Sequence, residues 1–234
     1  MKLIYEHITV SVSDTLTEWE NLKNTNRGWP VVVGNDGDME RLTEQFYIDE
    51  LAVSAGIQGS RVRAPSQILA DAANIRFPYD LSKWSGAYLP EDLHAPLGEW
   101  PANVDGGDPG LSVAINRASN SPHDRVHILL LPIKNSWEAP AFLRWGNWNA
   151  CPPAEYHVAA LREWHNRFGV DLVGINGDTM NLKTKTRPED REQAVALARD
   201  MYGYCPDIVD QGVGSIAVLA AGLMTWDWWY LWWD

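Results

Sequence analysis

Cys205, His165 and Asp207 are the residue types of a thiol nucleophile, a general base and an orienting acid. Cys151 stands as an alternative nucleophile, His157 as an alternative base and Asp210 as an alternative orienting group. Each cysteine precedes a proline, Cys151-Pro152 and Cys205-Pro206, which holds it in an extended or turn conformation. Thiol chemistry needs a thiolate of lowered pKa, and a nearby helix N-terminus would help. The spacing itself is not diagnostic, because such residues meet only in the fold. His165 also falls on the apolar face of a predicted helix, where a satisfied core histidine explains it as well. The same side chains, Cys151, His157, His165 and Cys205, could ligate zinc, but structural zinc sites pair their ligands closely and these cysteines are isolated. No metal and no cofactor is therefore expected. Asp178, Asp207, Asp210 and Glu189 could make an acidic pocket, yet turns and helix caps use aspartate more often.

Aromatic residues offer a second kind of site. Trp145 and Trp148, in R-W-G-N-W-N, could line a ligand groove with Asp207 and Asp210 as further binding candidates, or anchor a core. Five of the thirteen tryptophans lie in the last ten residues, T-W-D-W-W-Y-L-W-W-D. In an extended chain both faces of that segment are apolar, which predicts a terminal strand buried in a sheet covered on both sides.

Elements that position these residues are legible from the apolar pattern. Residues 3–12 and 29–34 read as strands, with a loop at 35–38 and a helix over 38–47. That loop, N-D-G-D, lacks the spacing and lysine of a phosphate loop, and its acids would repel a phosphate. Residues 64–74 read as a helix, 78–110 as a Pro/Gly-rich connection and 124–133 as a strand. Residues 153–168 form a helix with Val158, Leu161, His165 and Phe168 on its apolar face. Strands over 170–175 and 179–185 meet at Asn176-Gly177-Asp178, a hairpin signal whose type I′ turn needs positive φ twice. Thr186-x-x-Glu189 has the form of a capping box for a helix reaching about Tyr202, and a last helix covers 214–224. The expectation is an α/β (α+β) protein, a mixed sheet with helices on its faces. Its regions are 1–110 and 111–234, or one continuous domain.

Nineteen basic against thirty-one acidic residues leave a net charge of −12. That argues against nucleic-acid and membrane binding and fits a basic protein partner. No apolar run approaches the ~20 residues of a membrane span. Glu6 and His7 interrupt any signal peptide, so a cytoplasmic location and reduced thiols are expected.

Three segments carry a resemblance: Arg144 to Pro152 (R-W-G-N-W-N-A-C-P); Leu161-Arg162-Glu163-Trp164-His165 leading to V-G-I-N-G-D-T-M at 173–180; and Y-C-P-D-I-V-D-Q-G at 204–212 leading to the tryptophan end. Together they resemble the bacterial domain of unknown function 4253 family from about residue 125 to the C-terminus, and more weakly over 29–74. The resemblance implies a domain boundary and a bacterial source but no mechanism. The expected function is a non-enzymatic protein-binding factor, immunity or antitoxin-like. The alternative is a small hydrolase using a Cys/His/Asp site near the Cys205–Asp210 turn. In an architectural region Asp210 would bond backbone N–H groups at the start of the last helix, and both cysteines would be buried and far apart. In a functional one the side chains would converge on an open cleft walled by Trp145 or Trp148.

Overall fold

The structure is a computed structural model that describes residues 2–88, 90–104 and 108–234. Its main sheet has six strands: β1 (Glu6–Ser11), β2 (Trp29–Gly34), β5 (Arg125–Leu131), β6 (Asp171–Ile175), β7 (Thr179–Lys183) and β8 (Trp228–Trp232). They lie in the order β1-β5-β2-β6-β7-β8, and β3 (Ile115–Asn116) with β4 (Ser121–Pro122) forms a separate small ladder. Only β2 and β6 run parallel; the other neighbours are antiparallel. Strands from both sides of residue 110 therefore alternate within one sheet.

Alternation along each strand feeds two cores. Val126, Ile128 and Leu130 of β5, with Val32 of β2, pack on Trp19 and Leu22 of α1 (Thr15–Lys23). Leu129, Leu131, Val31 and Val33 face the opposite, larger core. That core is covered by α2 (Asp36–Ser54), α4 (Ala139–Leu143), α5 (Ala154–Phe168), α6 (Arg191–Tyr204) and α7 (Ile216–Leu223), while α3 (Pro65–Ala73) packs on α4 and α5.

The tryptophan end is a strand, as its composition demands, and it closes the sheet as the outermost member, paired with β7 alone. Trp229, Leu231 and Trp233 point into the larger core, and Trp228 into the smaller one. Trp229 meets Trp164 and Phe168 edge-on, and Trp233 meets Trp145, His157 and Tyr204. Such pairs each add roughly 0.5–1.5 kcal/mol beyond burial. On the other face Arg117 lies over the Tyr230 and Trp232 rings. No helix among the described residues is long and apolar enough to cross a membrane.

Several local expectations change. Helix α2 starts two residues early and runs seven residues longer, because Asn35 and Asp38 cap each other reciprocally and leave almost no loop. The hairpin at 176–178 forms without positive φ at Asn176 or Gly177. The Asn176 side chain instead accepts the N–H groups of Asp178 and Thr179, an Asx turn. Helix α6 is capped by Asp190, which accepts from the Gln193 N–H at 2.8 Å, and not by the Thr186–Glu189 box. Asp190→Ala is expected to cost about 1 kcal/mol in urea unfolding, and Thr186→Ala less than about 0.5 kcal/mol. The reverse ranking would return the cap to Thr186.

Candidate functional site

The residues of the thiol reading divide into separate local networks. Cys151 Sγ lies 3.4 Å from His157 Nε2, and His157 Nδ1 is hydrogen-bonded to the Tyr204 hydroxyl. All three are buried in the aromatic box of Trp145 and Trp233. Cys205 Sγ donates to the Trp232 carbonyl at 3.0 Å. His165 turns elsewhere: its Nδ1 is 2.9 Å from the Val170 carbonyl and 3.4 Å from Asp171, whose buried carboxylate also meets Lys23 and Lys185. It is partly exposed, so the buried stripe of α5 runs through His157, Leu161, Trp164 and Phe168 and leaves His165 beside it. Asp207 accepts from Gln211 and from the backbone N–H of Asp234 at 3.0 Å. Asp210 accepts from the Tyr202 hydroxyl at 3.0 Å. It does not cap the last helix; Ser215 does, accepting from the Val218 N–H.

Burial decides the electrostatics of the thiols. Desolvation pushes both cysteines well above the ordinary thiol range, and the neighbouring Cys205 for Cys151 and Asp207 for Cys205 push the same way. Desolvation also pulls His157 down to about 3, so the imidazole is neutral at pH 7. A neutral thiol beside a neutral imidazole is a packing arrangement, and a thiolate–imidazolium pair would need water or charge that this box excludes. Both cysteines are expected to react slowly with a thiol reagent such as dithionitrobenzoate in the folded chain and at once in denaturant. Rapid stoichiometric labelling of folded protein would contradict that.

Residues 144–149 link this box to the surface. Arg144, Gly146, Asn147 and Asn149 all take positive φ, three of them non-glycine residues. A side chain at Gly146 would strike the Pro152 carbonyl and the His157 ring. Left-handed backbone at non-glycine residues costs of order 1 kcal/mol or more each and persists where packing over-determines it. The loop directs Trp145 inward, where its Nε1 donates to the Asn176 carbonyl at 2.6 Å. Trp148, half-buried, forms the wall of a cavity of about 290 Å³ together with Gln45, Ile48, Asp49, Arg63 and Arg144.

A second, polar pocket of about 250 Å³ opens at the carboxyl ends of the two parallel strands. Its floor is Asn35 after β2 and Asn176 after β6, joined because Asn176 donates to Asp38 at 3.2 Å. Arg41 and Arg117 both approach Asp178, and His123 Nε2 lies 4.0 Å from Asp38. Arg117 also donates to Tyr230 and Thr179. Carboxyl ends of parallel strands are the usual ligand position in open α/β sheets. Arg41, Arg117, His123 and Asn176 were not legible as a group; the available signal was two buried strands that each end on an asparagine. Among the described residues, no three His, Cys, Asp or Glu side chains converge as metal ligands.

A third feature is apolar. Ile48, Leu51 and Ile57 are 62%, 50% and 58% exposed, and Val53 and Val62 are exposed beside them in sequence. These come from the second half of α2 and the segment that follows.

A mixed sheet with helices on its faces, with a polar pocket at its parallel strand ends and an aromatic-walled cavity, makes this an α/β protein. Residues 127–234 match a family model described as a domain of unknown function (DUF4253). The three resembling segments lie inside the matched span. No match was found among curated proteins or among solved structures.

Proposed function

We propose that the chain is a non-enzymatic protein-binding factor, of the immunity or antitoxin-like kind, which holds a basic partner on the face formed by the second half of α2 and the segment after it. The exposed cluster of Ile48, Leu51 and Ile57 is the observation that carries this reading. Large apolar side chains gathered within a few turns of chain mark a contact surface more than a solvated one. Charge supports the same partner chemistry. Helix α2 contains Asp36, Asp38, Glu40, Glu44, Asp49 and Glu50 against Arg41 alone. Asp49 sits near the carboxyl end, where the helix dipole disfavours anions, while Glu50 beside it is held by Arg144 at 2.9 Å. Asp49 lies between Ile48 and Leu51 in sequence, and the net charge of −12 would speed the encounter with an amphipathic segment flanked by Lys or Arg. The same acid excess disfavours nucleic acid, and a cytoplasmic bacterial setting belongs to this reading. The alternative, a hydrolase using Cys205, His165 and Asp207, asks for an ionised thiol beside a base; the buried Cys205 thiol spent on a carbonyl favours binding over that chemistry.

A Lys/Leu amphipathic helical peptide tests the face, with a Glu/Leu peptide as control. Titration should show binding of the first alone, weakening as salt rises. The Ile48→Ser/Leu51→Ser variant should bind at least about tenfold more weakly. Equal binding by wild type and variant, or none at low salt, would refute the proposal.

A further inference from the structure

We infer that the polar pocket at the carboxyl ends of β2 and β6 is a binding site for a small free α-amino acid, held as a zwitterion. Four charged side chains line it, Arg41, Arg117, Asp38 and Asp178, and all four are open to solvent in part. They are unevenly paired. Both guanidiniums gather on Asp178, Arg41 Nη1 at 3.7 Å from Oδ2 and Arg117 Nη2 at 3.8 Å from Oδ1. Among the described residues no lysine or arginine pairs with Asp38, whose nearest cationic candidate is His123 at 4.0 Å. One end of the pocket therefore holds an excess of positive charge and the other an excess of negative charge, although the four formal charges cancel.

Each end keeps hydrogen-bonding capacity in reserve. Arg41 makes no hydrogen bond among the described residues, since 3.7 Å is beyond the reach of one. Arg117 spends a single nitrogen, Nη2, on Thr179 and Tyr230 and lies over the Tyr230 and Trp232 rings. Its guanidinium is thereby fixed, while Nη1 and Nε stay uncommitted among the described residues. Asp38 accepts one bond on each oxygen, from the Asn35 N–H at 3.0 Å and from Asn176 Nδ2 at 3.2 Å, about half of what a carboxylate takes. A carboxylate complements the two guanidiniums, and an ammonium complements the unpaired Asp38. A ligand with only one of these charges leaves the other end unmatched, and a phosphate would meet two aspartates. Asn176 spans the two ends, donating to Asp38 and accepting from the Asp178 N–H at 3.2 Å. The ends are thus separated by one side-chain amide, a span that an α-amino acid bridges. The volume of about 250 Å³ lies below the ~300–1,000 Å³ of drug-sized pockets and limits the ligand to a short side chain.

The test is calorimetric titration of the full chain with glycine, alanine and serine, each beside its amide and its deaminated acid as single-charge analogues. At least one amino acid should bind with a Kd below about 1 mM, and both of its analogues at least about tenfold more weakly. Asp38→Asn should weaken the amino acid about tenfold and leave the deaminated acid unaffected. Arg41→Gln, at an exposed position, should weaken it similarly and leave the amide unaffected. Such a charge-selective split is not what loss of the Asn35–Asp38 cap would produce. Leu51→Ser should leave amino-acid affinity unchanged, so this site and the partner face succeed or fail separately. A Kd above about 1 mM for all three amino acids, an analogue that binds as well as its parent, or affinity indifferent to either substitution would each overturn the assignment.

Discussion

Trp145→Ala is expected to destabilise the chain by about 3–5 kcal/mol, close to the whole margin of many domains. The ring is fully buried between Trp148, His157 and Trp233, with centroids 4.7, 4.8 and 5.5 Å away. Its removal leaves a cavity too enclosed to collapse. It also strands the Asn176 carbonyl that Nε1 now serves, a further cost of about 1 kcal/mol. Trp148→Ala, at the half-buried position beside it, should cost less than about 2 kcal/mol. Equilibrium unfolding in urea followed by far-ultraviolet circular dichroism measures both. A loss below about 2 kcal/mol for Trp145→Ala would mean that the aromatic box is not the anchor between the hairpin, α5 and β8.

His157 should make stability fall as the solution is acidified. Burial lowers its pKa from 6.5 to about 3, so the unfolded chain takes up a proton below about pH 6.5 while the folded chain does not until near pH 3. Protons then favour unfolding across that window. Between pH 6.5 and 4.5 the histidine alone removes roughly 2–3 kcal/mol. Asp200 works in the opposite direction: burial raises it to about 6 from 3.8, so the folded chain holds its proton between those values and gains as pH falls. Asp200 is partly exposed, so its share is the smaller. Asp36 and Asp80, both held low by hydrogen bonds, act below about pH 4 and leave this window clear. Unfolding free energies of wild type and His157→Gln at stepped pH provide the comparison. The variant will be less stable throughout, yet its stability should stay level or rise from pH 6.5 to 4.5 where wild type declines. Parallel slopes would show that His157 is not held neutral in the fold.

Most of the frame was legible because it rests on local pattern. The runs W-P-V-V-V-G and R-V-H-I-L-L-L can only be buried strands, and Pro153 with Gly169 brackets α5. The hairpin was found through Asn176-Gly177, although an Asx turn makes it. Caps were harder, since Thr186, Glu189 and Asp190 all suit a helix start within five residues and tertiary placement of the strand end decides among them. His157 and His165 illustrate the limit on one helix. They lie two turns apart, and a small rotation of the apolar stripe exchanges which is buried. The polar pocket was illegible for another reason: Arg117 and Asp178, or Asp38 and His123, are far apart in sequence and meet only because β2 and β6 pair in parallel. The exposed half of α2 was also hidden, because its apolar residues continue the helical period that elsewhere signals a core.

Hydrogen–deuterium exchange tests most directly whether that exposed half is a docking face. With the Lys/Leu peptide present, amides across residues 44–62 should become protected, while β5 and α6 keep their rates. Protection confined to other segments, or unchanged exchange across 44–62 at saturating peptide, would contradict the assignment of this face to a basic partner.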